Sequence, residues 1–427
     1  MTRIRLARIA AAFCMTALTG WGGALIAAEA PHETSYRTAD GLVVIPASSQ
    51  ARPEDAGIRA HTNTRLFFRD FIHNRSTNPP TNAETPASLA CVYGFVTPVT
   101  GCAIASVTAV PTGGSKLVVI VDAYDDPTAT NDLTVYSKQF GLPAVTNANF
   151  AVAYATGTKP PQDSTGGWEL EESLDIEMAH AMAPGAKVVL MEAASSNNSD
   201  LFAAVAAAQT LVAAAGGGEV SMSWGESEFN GETSYESYFD GGANVVFFAS
   251  TGDSPGTIFP SVLQNVVGAG GTTINRSGGK YTTQSAWNDG GGGSSSYVKI
   301  PSYQSAIKKI KKIVGKYRGV PDFSFDANPG SGVAVYDTTK YNGGVLDWIA
   351  VGGTSVASPA LAAIVNSAGS FAASTSAELT AVYDSYTKTA DWTDVALGTC
   401  GNNGGAKATK GYDFCTGIGV PNGYGGK

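Results

Sequence analysis

Charged residues are scarce in this chain. Only 15% of its 427 residues are Asp, Glu, Lys or Arg, and the formal net charge is -9. No basic surface is available to neutralise phosphates, so nucleic acid is not an expected partner. With so few charges there are also few carboxylate pairs to break as pH falls, which suits work in acid. Histidine is rarer still: His32, His61, His73 and His180 are the whole set. The first three lie in a polar N-terminal region, before anything that reads as a catalytic core. His180 follows Asp175 on a helical segment, about 140° around the helix from it, and reads as a partly solvated or core residue. Beyond the N-terminus no apolar run is long enough to span a bilayer.

What is present fits one large folded body. Hydrophobic residues make up 43% of the chain and glycines number 51, enough for one sizeable domain behind a short leader. Arg3, Arg5 and Arg8 precede an apolar stretch from Ile9 to about Ala28. This predicts a secretory signal over residues 1–28, with a membrane anchor as the alternative because the length is borderline. Pro31 argues against a cut after Ala30. Of 5 cysteines, Cys14 falls inside the signal. The remaining four suit an oxidising compartment, with nearest-neighbour pairs Cys91–Cys102 and Cys400–Cys415. Residues 29–85 are polar and uneven, ending in Arg75-Ser76-Thr77-Asn78-Pro79-Pro80, and read as a short propeptide with an exposed linker. From 86 to 427 strands near 117–121, 187–193, 219–224 and 245–250 alternate with helical segments such as Leu201–Ala208. That pattern predicts an α/β fold, a parallel sheet with helices on both faces. The run Asp289-Gly290-Gly291-Gly292-Gly293-Ser294 is a loop and not a phosphate cradle, since no Lys follows at the required spacing.

Gly352-Gly353-Thr354-Ser355-Val356-Ala357-Ser358-Pro359 is a glycine turn that delivers a serine onto the start of an apolar helix. Glycines admit a substrate backbone, and a helix N-terminus offers free N–H groups to a developing oxyanion. Ser355 is thus a candidate nucleophile; the alternative is a helix cap. The octapeptide resembles the serine signature of the subtilisin-like clan, yet no histidine occupies that clan's helix start. Instead Leu170, Leu174, Met178 and Met182 recur at helical spacing, Pro184-Gly185 ends the helix, and Glu171 and Asp175 share one face at i and i+4. Read alone, those acids fit a solvated first turn that complements the helix dipole.

Serine motif and paired carboxylates together resemble the sedolisins, or serine-carboxyl peptidases, over roughly residues 86–427. The resemblance implies a subtilisin-like fold in which Glu171 is the general base and Asp175 its carboxylate partner, with Glu172 a lesser rival. It also implies that Asp253, in Gly252-Asp253-Ser254 after the strand-like Asn244–Thr251, is the oxyanion aspartate. Asp122, ending Leu117-Val118-Val119-Ile120-Val121, matches a second carboxylate bonded to the base, although relatives often have Glu there. Trp224 in Ser223-Trp224-Gly225 matches a residue near the cleft. The resemblance further implies one structural calcium ion, held by Asp394 and Asp413 with the carbonyls of Val395, Thr409 and Gly411; the pair Cys400–Cys415 would close that loop. Sedolisins carry a much longer folded prodomain than residues 29–85 supply. The expected activity is that of a secreted endopeptidase, extracellular or periplasmic, cutting peptides or unfolded proteins at acidic pH through an acyl-enzyme on Ser355. A tripeptidyl-peptidase-type exopeptidase and a catalytically silent binding protein on the same fold are the alternatives. A monomer without stable membrane association is expected.

Overall fold

A computed structural model describes residues 32–69, 76–240, 244–402 and 405–427. The expected signal, His73 and Arg75 lie outside them. The predicted α/β architecture is what the chain adopts. Its main sheet comprises strands β1 (Leu117–Ala123), β2 (Phe150–Tyr154), β3 (Lys187–Ala193), β4 (Gly218–Met222), β5 (Val245–Ser250), β6 (Val267–Ser277), β7 (Lys280–Ala286) and β8 (Phe323–Asp326). Their order is β7-β6-β5-β4-β1-β3-β2, with β8 also on β6. Every pairing is parallel except β6 with β7.

Strand side chains alternate between faces, and here both faces find a core. Val118 and Ile120 of β1 join one buried cluster, whereas Leu117, Val119 and Val121 join the other. Four long helices cover the sheet: α1 (Ala129–Phe140), α2 (Gly167–Met182), α3 (Asn198–Ala214) and α4 (Thr354–Ala368). Apolar residues of α2 from Leu170 onward and those of α4 belong to the first cluster, while Trp168 and the apolar residues of α3 belong to the second. The carboxyl ends of β1, β4 and β5 open toward the start of α4, where ligand chemistry collects in parallel sheets.

A second, antiparallel sheet of five strands runs in the order Thr34–Arg37, Leu42–Ile45, Arg65–Phe68, Gly344–Gly352, Val333–Tyr341. Much of the stretch read as polar and uneven is therefore built into the body. Val43, Val44, Leu66, Phe67 and Phe68 are buried; Val43 and Val44 pair with Phe67 and Leu66, which in turn pair with Ala350 and Val351, almost 300 residues away in sequence. Both expected disulfides form, Cys91–Cys102 and Cys400–Cys415, with Cα separations of 5.5 and 5.4 Å, inside the usual range.

Candidate active site

The strand Gly344–Gly352 meets α4 at Gly353, whose φ of 104° favours glycine. A Cβ on Gly353 would sit 2.0 Å from the Asn63 carbonyl oxygen and 2.7 Å from a carboxylate oxygen of Asp253. Ser355 lies in the first turn of α4, where backbone N–H groups have no helical acceptor, and its N–H donates to the Asn63 carbonyl at 3.2 Å. Ser355 is not a cap: the N-cap is Gly353 and no side chain caps this end. Its hydroxyl instead donates to the Ser223 carbonyl and accepts the Asn63 N–H, each at 3.1 Å. Pro359 has no N–H to return to the Ser355 carbonyl one turn back. The Ser223 hydroxyl lies 3.2 Å from that carbonyl and 2.6 Å from Asp175 Oδ2, linking α4 to α2.

The acids of α2 are not a solvated turn. Glu169, Glu171, Glu172, Asp175 and Glu177 are all buried, because α2 packs against α4 on one side and the strand Val333–Tyr341 on another. The Thr64 hydroxyl donates to Glu171 Oε2. Burial pushes Glu171 up to about 8; the Ser355 and Thr64 hydroxyls oppose that rise and the Asp253 charge adds to it. Asp175 is raised by burial and then by Asp122 and Glu171, and Asp122 by burial and then by Glu171. Both oxygens of Asp122, Glu171 Oε1 and Asp175 Oδ1 lack any hydrogen-bond partner among the described residues. Three carboxyl groups so placed cannot all ionise. Glu172 is raised by burial and then chiefly by Glu192 and Asp126, and it makes no hydrogen bond to Ser355.

Asp253, buried just beyond β5, accepts from the Thr354 N–H at 2.7 Å and its hydroxyl at 2.8 Å through Oδ1. Its Oδ2 has no hydrogen bond and lies 3.5 Å from Arg65 Nη1. Burial pushes Asp253 up to about 6 against the pull of Arg65 and Thr354. Trp224 is buried, and its indole N–H donates to the Val121 carbonyl at 2.7 Å; it props the end of β1 beside Asp122. His180 is a core residue, its Nε2 3.2 Å from the Pro143 carbonyl. The structure thus gathers Glu171, Asp175, Asp253, Ser355 and Asp122 at one place. It adds Asn63, Thr64, Arg65 and the Ser223 hydroxyl, which sequence reasoning missed. Ser223 stood in a motif already singled out, whereas Asn63-Thr64-Arg65 carried no signal. A cavity of about 530 Å³ opens beside the site, lined by Tyr36, His61, Asn63, Arg65, Asp253 and Asp289 among others.

The residues implied as calcium ligands also meet. Asp394 accepts the Gly411 N–H at 3.0 Å, Asp413 accepts that of Thr409 at 2.8 Å, and the Thr416 hydroxyl lies 3.3 Å from the Val395 carbonyl. Two carboxylates and three carbonyls would together be an all-oxygen donor set of the kind calcium takes. Among the described residues no group of three or more His, Cys, Asp or Glu is placed to hold a metal, so an ion here would depend on carbonyl ligands.

No family model matches the chain. Kumamolisin from Bacillus sp. (strain MN-32) is 28% identical over 368 residues, covering 78% of this chain and 61% of kumamolisin. Sedolisin from Pseudomonas sp. (strain 101) is 35% identical over 182 residues, 38% of this chain and 28% of that protein. Xanthomonalisin from Xanthomonas sp. (strain T-22) is 33% identical over 190 residues, 38% of this chain and 20% of that one. The chain spans less than two thirds of the length of each. A solved Pseudomonas sedolisin, a serine-carboxyl proteinase complexed with two molecules of pseudo-iodotyrostatin, shares the fold at a TM-score of 0.63 and 23% identity, over 80% of this chain and 95% of that one. Sphericase shares it at a TM-score of 0.50 and 19% identity, over 81% and 99%. Sequence likeness and fold likeness both reach sedolisin, and together they support a chain of sedolisin type with a subtilisin-like fold.

Proposed function

We propose that the protein is a serine-carboxyl endopeptidase that hydrolyses peptide bonds in acid through an acyl-enzyme on Ser355. The observation that carries this reading is a helix-start serine flanked by two kinds of carboxyl group. Glu171, among acids that share protons, is placed to take the Ser355 proton. Asp253, with one oxygen unoccupied and facing the Gly353 turn, is placed to donate to an oxyanion when protonated. The Ser355 N–H is the second donor. Attack by the Ser355 oxygen yields an ester and a leaving amine that takes its proton from Glu171; water then cleaves the ester with Glu171 again as base. Asp175 keeps a proton and stays neutral, so that Glu171 can be the ionised member and act as base, and the Ser223 hydroxyl fixes the orientation of Asp175.

An endopeptidase is favoured because the cleft already holds continuous chain on both sides of Ser355, residues 61–65. Substrates are peptides or unfolded proteins able to lie extended there. Calcium is proposed as a structural ion: Asp394 and Asp413 with the carbonyls of Val395, Thr409 and Gly411 would hold it, and when bound it would neutralise the two carboxylates and brace the loop. Secretion is proposed from the N-terminal apolar stretch and the two disulfides; among the described residues no helix is long and apolar enough to cross a membrane. The test is cleavage of N-terminally blocked peptides from pH 3 to 8. Wild type should cut them on the acid side of neutrality and Ser355→Ala should not. Cleavage only of peptides with a free amine would make the protein an exopeptidase, and no cleavage of either kind would remove the peptidase reading.

A further inference from the structure

We infer that the Asn63–Thr64 peptide bond is the protein's own cleavage site, held in the cleft as a bound substrate would be. This rests on the peptidase reading above. His61 and Thr62 pair antiparallel with Gly225 and Trp224, an extended chain added to a strand edge. The Asn63 N–H continues the ladder, donating to the Ser223 carbonyl at 3.2 Å while lying 3.1 Å from Ser355 Oγ. The Asn63 carbonyl oxygen accepts the Ser355 N–H at 3.2 Å. It crowds the side of Gly353 that also faces Asp253 Oδ2, since a Cβ on Gly353 would meet both atoms. The carbonyl set among the oxyanion donors, next to the nucleophile, is therefore that of Asn63.

The far side of the bond is equally committed. Thr64 donates its hydroxyl to Glu171, which puts the base beside the nitrogen that must leave. Arg65 reaches Asp253, and the strand it begins pairs Arg65, Leu66 and Phe67 with Gly352, Val351 and Ala350. The Asn63 side chain is buried among polar groups, its amide donating to Ser250 Oγ at 2.7 Å while Oδ1 has no hydrogen-bond partner among the described residues. The site that receives the residue before the cut bond thus suits a short amide, or a side chain of that size and polarity.

In the reaction, the Ser355 oxygen bonds to the Asn63 carbonyl carbon and the Asn63–Thr64 C–N bond breaks. Glu171 moves the hydroxyl proton to the Thr64 nitrogen. One water then cleaves the ester, leaving an Asn63 carboxyl group, a Thr64 amine and Ser355 as it began. Strands on both sides of the cut, Leu42–Ile45 and Arg65–Phe68, pair with one another, so the two ends stay on the body after the break.

Full-chain wild type and Ser355→Ala, purified at neutral pH and shifted to pH 4, test this by intact mass and N-terminal sequencing. A parallel arm supplies both proteins with an unrelated peptide library and with a synthetic peptide spanning residues 58–68. The expected result is a chain beginning at Thr64 in wild type only, and a cut of the synthetic peptide between its Asn and Thr. Wild type that cuts library peptides but leaves the Asn63–Thr64 bond whole in both settings, or cuts its own chain elsewhere only, overturns the inference and leaves the peptidase reading standing. Failure to cut any peptide removes both.

Discussion

In the proposed mechanism Asp253 is asked to be two things. To donate to an oxyanion it must carry a proton, yet Arg65 stands 3.5 Å from the oxygen that would hold it. Burial prevails and the group rises to about 6, so the donor is present in acid and lost as pH climbs through that value. Asp253→Asn supplies an N–H donor at every pH and should move the alkaline limb of activity upward, whereas Asp253→Ala should lower kcat by about 10²–10³-fold. Rates against pH for the two variants decide it; an unmoved alkaline limb in Asp253→Asn would assign that limb to another group. The proposed nucleophile and base would act as a unit, so Ser355→Ala and Glu171→Gln should each lose about 10⁴-fold or more with their thermal melts intact. Glu172, turned toward Glu192 and Asp126, should tolerate Gln with most activity kept. A dead Glu172→Gln beside a live Glu171→Gln would reverse the assignment of the base.

Among the elements, α2 shows how far sequence alone reaches. Its existence and its end were legible in the spacing of Leu170, Leu174, Met178 and Met182 and in Pro184-Gly185. Its burial on every side was not, because Glu171 and Asp175 read alone fit a solvated first turn until α4 and the strand Val333–Tyr341, more than 150 residues later, arrive to cover them. The strand Arg65–Phe68 was hidden for the same reason, since it joins the sheet through Ala350–Gly352 far along the chain, and Leu42–Ile45 has a place only beside it. Glu171, Asp175, Asp253 and Ser355 were legible through resemblance, but that residues 61–65 thread between them was written in no local pattern. At the C-terminal loop, oxygen donors from residues 394–395 and 409–413 sit on a segment crossed by Cys400–Cys415. An ion bound only by the folded loop stabilises the fold by about 2.7 kcal/mol at a hundredfold excess over Kd. Excess chelator should therefore lower the Tm, and Asp394→Ala should lower it equally and no longer respond to chelator. A melt unmoved by chelator would remove the ion.

At the scale of the whole molecule, buried carboxyl groups extend well beyond the site. Burial raises Glu169 and Glu192 from 4.5 to about 8, Glu226 to about 7, Glu232 to about 9 and Asp126 from 3.8 to about 6. Cations to compensate them are few, 27 Lys and Arg against 36 Asp and Glu. The sign of the consequence is fixed by linkage. Between the ordinary values near 4 and the raised ones near 8, the folded chain keeps protons that the unfolded chain has released. Stability must then fall as pH rises through that window and recover as pH drops toward 4. This is the reverse of a protein built on ionised salt bridges, and it places the most stable form where Asp253 is a donor. Denaturant midpoints of Ser355→Ala, chosen because its chain cannot cut itself, should decrease steadily from pH 4 to pH 8. A midpoint that rises over that range would show the acids ionised and paired in the folded state. Glu172→Gln sharpens the test: each proton held only by the folded chain contributes a slope of about 1.4 kcal/mol per pH unit. Replacing this fully buried acid should reduce the slope by up to that amount and raise stability at neutral pH, while leaving the acid end unchanged.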